Sequence, residues 1–350
     1  MSIALFDVYP ELAGRIPWVR LGTFPTPVEA LAVGRSDVFI KRDDLSAQPY
    51  GGNKVRKLEF LLAAAQARRA RRLITVGAAG SHHALATTIY GKQLGFDVTL
   101  ILFPQPLTAH VRDILLLDVA YGAELRYTGR METVPTALFA TSMRYRRQGA
   151  FVIAAGGSDA IGTLGYVNAA LELAAQIRLG NMPQPASIVA AAGTLGTVAG
   201  LALGFALAQL PIRILGVRIT SRIVTNERAL MRLIRGADDL LRRAGIAGTR
   251  AEQAFRSVEI RHEQMGSGYG VATAAGDAAA HTLSATGIHL DTTYTAKAAA
   301  ALLQHVKAAA GPVLFWHTLS AAEPPLPAHV RVDNLPTPFQ TYLQSQAGAP

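Results

Sequence analysis

Short apolar runs alternate with segments of helical periodicity along most of this chain, and that alternation constrains its fold more than any other feature. Leu73–Gly77, Val98–Phe103, Glu124–Tyr127, Phe151–Ala155, Ser187–Ala192, Arg213–Thr220, Val258–Arg261 and Val313–His317 read as strands. Helical patterns run from about Ala84 to Leu94 and from about Thr108 to Tyr121, and a long one comes after Asp159. Strands separated by helices pair in parallel through right-handed crossovers. We therefore expect an α/β chain with mainly parallel sheets. In such sheets ligands collect at the carboxyl ends of the strands, so the strand-to-helix turns are where chemistry is expected.

The 350 residues suggest two domains, or one large α/β unit with a split core, and 50% hydrophobic against 17% charged residues excludes global disorder. With no cysteine, a disulfide framework, a thiolate metal site and cysteine catalysis are excluded. The net charge of +10 invites a nucleic-acid partner. The arginines argue otherwise: Arg68, Arg69, Arg71 and Arg72, then Arg144, Arg146 and Arg147, then Arg242 and Arg243 fall near expected helix ends, without interleaved aromatics. No nucleic-acid partner and no metal are expected. Residues 181–212 lack any charge and space Gly196, Gly200 and Gly204 like a membrane helix pair. A buried strand, a glycine turn and a helix account for the same run, so no membrane partner is expected. The start carries Asp7 and Glu11 and no basic leader, which reads as cytoplasmic. The proline-rich stretch after Ala321 is expected to be an irregular tail.

Particular turns carry unusual chemistry. Gly51 and Gly52 mark a tight turn, Asn53 can cap a helix beginning there, and Val55, Leu58 and Leu62 recur at helical spacing. Lys54 then lies in a first helical turn, the wrong end for a cation, which lowers its pKa. A neutral lysine can form a Schiff base or take a proton. Lys57, one turn on, pushes the same way. Taken alone, an exposed lysine without a role fits the same pattern. Ser81 is a natural N-cap, and the N–H groups behind it suit a carboxylate. Gly193, Thr194, Leu195, Gly196 and Thr197 form a glycine turn between a strand and a helix, which suits a phosphate. Tyr269 and Tyr294 taken singly read as buried tyrosines.

The run GGNKVRKLE from Gly51, with LGTFPTPVEAL and KRDDL before it, resembles the D-cysteine desulfhydrase and 1-aminocyclopropane-1-carboxylate deaminase family. These are pyridoxal-phosphate enzymes of the tryptophan-synthase-β-like fold, fold type II. The resemblance extends from about Leu21 to Ser320. It implies two three-layer αβα domains with mainly parallel sheets: a large one from 1–60 and 170–350, and a smaller one, 61–169, inserted in it. It also implies a homodimer acting on a small amino acid with pyridoxal 5'-phosphate as cofactor.

By that resemblance Lys54 would hold the cofactor as a Schiff base and remove the Cα proton. Asn53 and Lys57 would bind the cofactor, and Gly193–Thr197 its phosphate. Ser81 would lie beside the substrate and His82 at the cofactor's phenolic oxygen. Tyr269 and Tyr294 would be the active-site tyrosines, with Thr295 and Thr318 near the ring nitrogen. The sequence departs from the family's pattern at His82 and Asp159, where asparagine is usual, at Leu195, a glycine elsewhere, and at Leu319, Ser320 and Ala321, which replace a glycine pair. The implied reaction is α,β-elimination from a D-cysteine-like amino acid, giving a keto acid and ammonia. Threonine rather than glutamate at 295 disfavours the cyclopropane substrate. Deamination of that cyclopropane amino acid is the first alternative, followed by β-replacement or racemisation of another amino acid and a non-catalytic binding protein of the same fold.

Overall fold

The structure is a computed structural model and describes residues 2–347. Its strands are β1 (Val28–Ala30), β2 (Val38–Arg42), β3 (Arg72–Ala78), β4 (Asp97–Phe103), β5 (Glu124–Tyr127), β6 (Ala150–Ile153), β7 (Ser187–Ala192), β8 (Arg213–Arg218), β9 (Val258–Arg261) and β10 (Val313–His317). The helices are α1 (Ala4–Val8), α2 (Asn53–Ala67), α3 (His82–Gln93), α4 (Ala109–Ala120), α5 (Val134–Arg144), α6 (Ala160–Arg178), α7 (Gly196–Leu207), α8 (Glu227–Arg243), α9 (Ala251–Arg256), α10 (Ala274–Ser284), α11 (Thr295–His305) and α12 (Thr337–Ala347). They form two compact units, one of residues 1–60 and 158–322, the other of 61–157 and 323–350.

The first unit holds a six-stranded sheet in the order β1-β2-β10-β7-β8-β9. All its pairings are parallel except β1 with β2. Side chains alternate across the pleat. Ile188, Ala190, Ile214, Leu314 and Trp316 face a core shared with α6, α7 and α8. Val189, Leu215, Val217, Val313 and Phe315 face the opposite core, under α10 and α11. Helices thus cover both faces, as a parallel sheet requires. The chargeless run 181–212 resolves into β7, a turn and α7. Among the described residues no helix is long and apolar enough to cross a membrane.

Gly165 of α6 allows the backbone of α2 to approach: a Cβ there would lie 2.2 Å from the Arg56 carbonyl oxygen. Arg56 is buried and bridges two carboxylates, donating to Asp43 at 2.7 and 2.9 Å and to Glu172 at 2.9 and 3.0 Å. Lys41 joins the cluster through Glu172 at 2.6 Å, and the Trp316 indole and Tyr166 hydroxyl donate to Asp43. Two cations and two carboxylates balance, so the start of α2 is bolted to β2, β10 and α6 by buried charge.

The second unit holds a parallel four-stranded sheet, β5-β4-β3-β6. Ile74 and Ile101 pack beneath α5 with Tyr145. On the other face, Gly91 of α3 lies close over Leu73 and Val98. The stretch after Ala321 is irregular as expected up to residue 331, but it does not stay so. It ends in α12, whose Phe339 and Tyr342 rings pack on Tyr127 at 5.2 and 5.8 Å between centroids. The Tyr342 hydroxyl donates to the Gln105 carbonyl at 2.6 Å. Prolines did not prevent the helix because Pro338 occupies its first turn, where no N–H is needed.

The units also divide the chain differently from the expected boundaries. The chain returns to the first unit at Ser158 rather than at 170, and residues 323–350 join the second unit. A boundary at 170 would cut α6, one continuous helix packed along α7.

Candidate active site

The start of α2 is anchored to the carboxyl end of the central strand β10. The Asn53 N–H donates to the Thr318 carbonyl at 3.1 Å, and the Gly51 N–H donates to Ser320 Oγ at 2.7 Å. Gly52 between them sits at φ +81°, and a Cβ there would lie 2.6 Å from the Thr318 oxygen. Only glycine meets both conditions. Lys54 comes directly after, in the first turn of α2 as expected. Burial pulls its pKa down to about 8, and the negative charge of Asp291 only partly opposes this. Burial thus lowers it in the direction expected from sequence, where the helix end was the cause considered.

The turn between β7 and α7 forms a cradle. Leu195 takes the left-handed conformation at φ +66°, so the backbone shape of a glycine turn persists despite the side chain. No side chain caps the leading N–H groups of α7. Lys57 Nζ donates to Ser158 Oγ at 3.0 Å, and Ser158 shares a 2.6 Å hydrogen bond with Thr194. The Asn53 amide does not simply cap its own helix; it donates to Thr197 Oγ1 at 3.2 Å. A Cβ on Gly196 would stand 2.6 Å from Ser158 Oγ and 2.8 Å from Lys57 Nζ. Burial and the neighbouring Lys54 charge hold the Lys57 pKa well below the usual lysine range, partly offset by Asp159. N–H groups without a side-chain cap, hydroxyls and a buried ammonium around one glycine fit a phosphate group.

The tyrosines meet in the same unit. The Tyr269 and Tyr294 hydroxyls are hydrogen-bonded, and the rings pack edge to face at 5.9 Å. Burial raises the Tyr269 pKa to about 12 and pushes Tyr294 well above its usual value, so both are neutral at physiological pH. A Cβ on Gly193 would lie 3.7 Å from Tyr294 Cε1, so the pair adjoins the glycine turn. Asp291 organises this corner: its carboxylate accepts from the N–H groups of Thr293, Tyr294 and Thr295. Thr295 is buried, donates its hydroxyl proton to Asp291 at 2.7 Å and accepts from the Asp291 N–H at 2.9 Å. Thr318 contributes its carbonyl to Asn53, and its side chain is half-buried.

Lys54, Lys57, Asn53, Gly193–Thr197, Tyr269, Tyr294, Thr295 and Thr318 all belong to the first unit. Sequence reasoning missed Asp291 and Ser158, and it marked Ser320 as a departure from the family's pattern without foreseeing its bond to Gly51. Asp291, three residues before Tyr294 and just ahead of a helix, carried a capping signal that could have revealed it.

Ser81 and His82 belong to the second unit, at the carboxyl end of β3. Ser81 caps α3 as expected, accepting from the Ala84 N–H at 3.3 Å. The His82 ring packs on that of His110 with centroids 4.7 Å apart. His83 is buried and shares a 3.0 Å hydrogen bond with Thr75.

Comparison with known proteins identifies the family. The sequence pattern of the family described as "Pyridoxal-phosphate dependent enzyme" matches residues 19–318. Nocardicin C-9' epimerase of Nocardia uniformis subsp. tsuyamanensis is 36% identical over 326 residues, 89% of this chain and 94% of that protein. D-cysteine desulfhydrase of Salmonella newport (strain SL254) is 34% identical over 321 residues, 87% of this chain and 94% of that protein. Among solved structures, an ACC deaminase homologue superposes with a TM-score of 0.75 at 32% identity, covering 92% of this chain and 96% of that one. The chain belongs to the pyridoxal-phosphate dependent enzymes, with the fold type II architecture and pyridoxal phosphate as its cofactor.

Proposed function

We propose that this enzyme catalyses α,β-elimination from a small amino acid of the D-cysteine type, releasing a keto acid, ammonia and, from D-cysteine, hydrogen sulfide. The observation that carries the reading is Lys54, an amine with its pKa drawn to about 8, in the same unit as a phosphate cradle and a neutral tyrosine pair. Pyridoxal phosphate, when bound, supplies the electron sink for a carbanion at Cα. Lys54 is the residue to hold the cofactor carbonyl and to move the Cα proton. Lys57, Ser158 and the Gly193–Thr197 turn hold the phosphate. The Tyr269–Tyr294 pair presents hydroxyl protons to a leaving group. The N–H groups of α3 behind Ser81 offer themselves to a substrate carboxylate. The absence of a carboxylate side chain at Thr295 favours elimination over opening of a cyclopropane ring. In this reading the enzyme works as a cytoplasmic homodimer, and elution at the mass of two chains checks the dimer.

Epimerisation at Cα is the second reading, supported by the similarity to nocardicin C-9' epimerase. It shares proton removal by Lys54 and differs in returning the proton to the other face. Holoenzyme is incubated with D-cysteine, L-cysteine, β-chloro-D-alanine and 1-aminocyclopropane-1-carboxylate in deuterated water. Keto acid and sulfide from D-cysteine are the expected outcome. Deuterium at an inverted Cα with no keto acid establishes the second reading. Keto acid from the cyclopropane alone overturns the proposal.

A further inference from the structure

The loop that carries Tyr269 is held from within by two long backbone hydrogen bonds, Met265 N–H to the His262 carbonyl at 3.5 Å and Val271 N–H to the Gly268 carbonyl at 3.4 Å. Gly266, Gly268 and Gly270 fall within it, and Gly266 and Gly270 lie at φ +65° and +77°. Further support comes from α11. Lys297, on the helix that starts just after Tyr294, is completely buried. Its Nζ donates to the carbonyl oxygens of Met265 at 2.8 Å and Gly268 at 3.3 Å. Gln264 fastens the beginning of the loop to the same helix, donating to Gln304 at 2.8 Å. Burying an ammonium against neutral carbonyls is unfavourable, and an aliphatic side chain would fill the space with less penalty. What an aliphatic chain cannot do is draw two carbonyls of one loop inward onto a single point. Gly268 directly precedes Tyr269, and Lys297 lies one helical turn from Tyr294. Lys297 is therefore fixed to one tyrosine's helix while gripping the other tyrosine's loop.

We propose that Lys297 is a positioning residue whose buried ammonium serves as a built-in cation, folding the Met265 and Gly268 carbonyls inward and thereby setting Tyr269 against Tyr294. This deepens the elimination reading and rests on it for the role of the tyrosine pair. A cation held by carbonyls can be replaced by a free one of similar size, whereas a mere packing residue cannot.

The test uses holoenzyme. In Lys297→Met, hydrogen exchange at the amides of residues 266–271 should rise about tenfold or more. With the cofactor absorbance retained, kcat should fall about 10²-fold with little change in KM, as expected for a misplaced reacting group. In Lys297→Ala, ammonium chloride should restore both loop protection and kcat, and choline chloride at equal ionic strength should not. Unchanged exchange or unchanged kcat in Lys297→Met overturns the proposal. If that variant does not fold, Lys297→Ala prepared in ammonium carries the test, and equal behaviour in ammonium and choline overturns it. Failure of the elimination reading shows separately, as wild-type holoenzyme that releases no keto acid while its loop remains protected.

Discussion

Arg56 and its neighbours Lys54 and Lys57 share one turn of α2 and meet opposite electrostatic surroundings. Arg56 is enclosed by Asp43 and Glu172, and their charges hold its pKa well above its usual value. At Lys54 and Lys57 burial outweighs the opposing charges of Asp291 and Asp159 and drives both pKa values down. A buried cation matched by carboxylates serves the fold. A buried cation whose pKa is drawn down gives up its proton more readily, which suits the roles proposed for Lys54 and Lys57.

That contrast can be broken by exchanging roles. Lys54→Ala should lower keto acid formation about 10³-fold and abolish the cofactor's visible lysine-linked band, with no loss of thermal stability. Arg56→Met should do the reverse: a loss of about 3–5 kcal/mol in urea unfolding, because Asp43 and Glu172 remain buried without their partner. A loss under ~1 kcal/mol would show that the network is not what secures α2. Gly196→Ala sharpens the picture of the cradle. Its methyl group meets Ser158 and Lys57, so cofactor affinity should fall about tenfold or more in titrations of apoenzyme, and folding stability far less.

The smallest effect is on pH dependence. Lys54 and Lys57 have lower pKa values folded than unfolded, so the unfolded chain binds more protons. Cofactor-free protein should therefore gain stability as pH rises from about 8 towards the unfolded lysine value near 10.4. Urea midpoints should show this slope in wild type and a flatter one in Lys57→Met. Inorganic phosphate should raise the melting temperature of wild type but not of Lys57→Met.

Much of the fold was legible because buried parallel strands announce themselves as apolar runs. Ser187–Ala192, Val258–Arg261 and Val313–His317 begin and end where the sequence places them. β1 and β2 were not legible. β2 ends in Lys41 and Arg42, and Asp43 and Asp44 come next. Lys41 and Asp43 are made buriable by Glu172 and Arg56, partners that no local pattern can supply. The same limit applied to the site. Turn residues such as Gly52, Ser81 and Gly196 carry their geometry in the local sequence. Lys57 with Ser158 and Gly51 with Ser320 are pairings across the topology. Asn53 shows both levels: it lies at the helix start as read, but its side chain serves Thr197.

The position of β10 has a consequence for how the protein is made. The last strand of the chain is a central one, hydrogen-bonded to β2 on one side and β7 on the other. Until the ribosome has released Val313–His317, β2 and β7 each present an open inner edge, and Asp43 lacks the Trp316 indole that helps satisfy it. The nascent chain cannot close this sheet progressively from its N-terminus. It has to keep two half-sheets apart and unaggregated through more than a hundred residues of synthesis after β7. A chain ending before β10 would leave the inner edges of β2 and β7 unpaired.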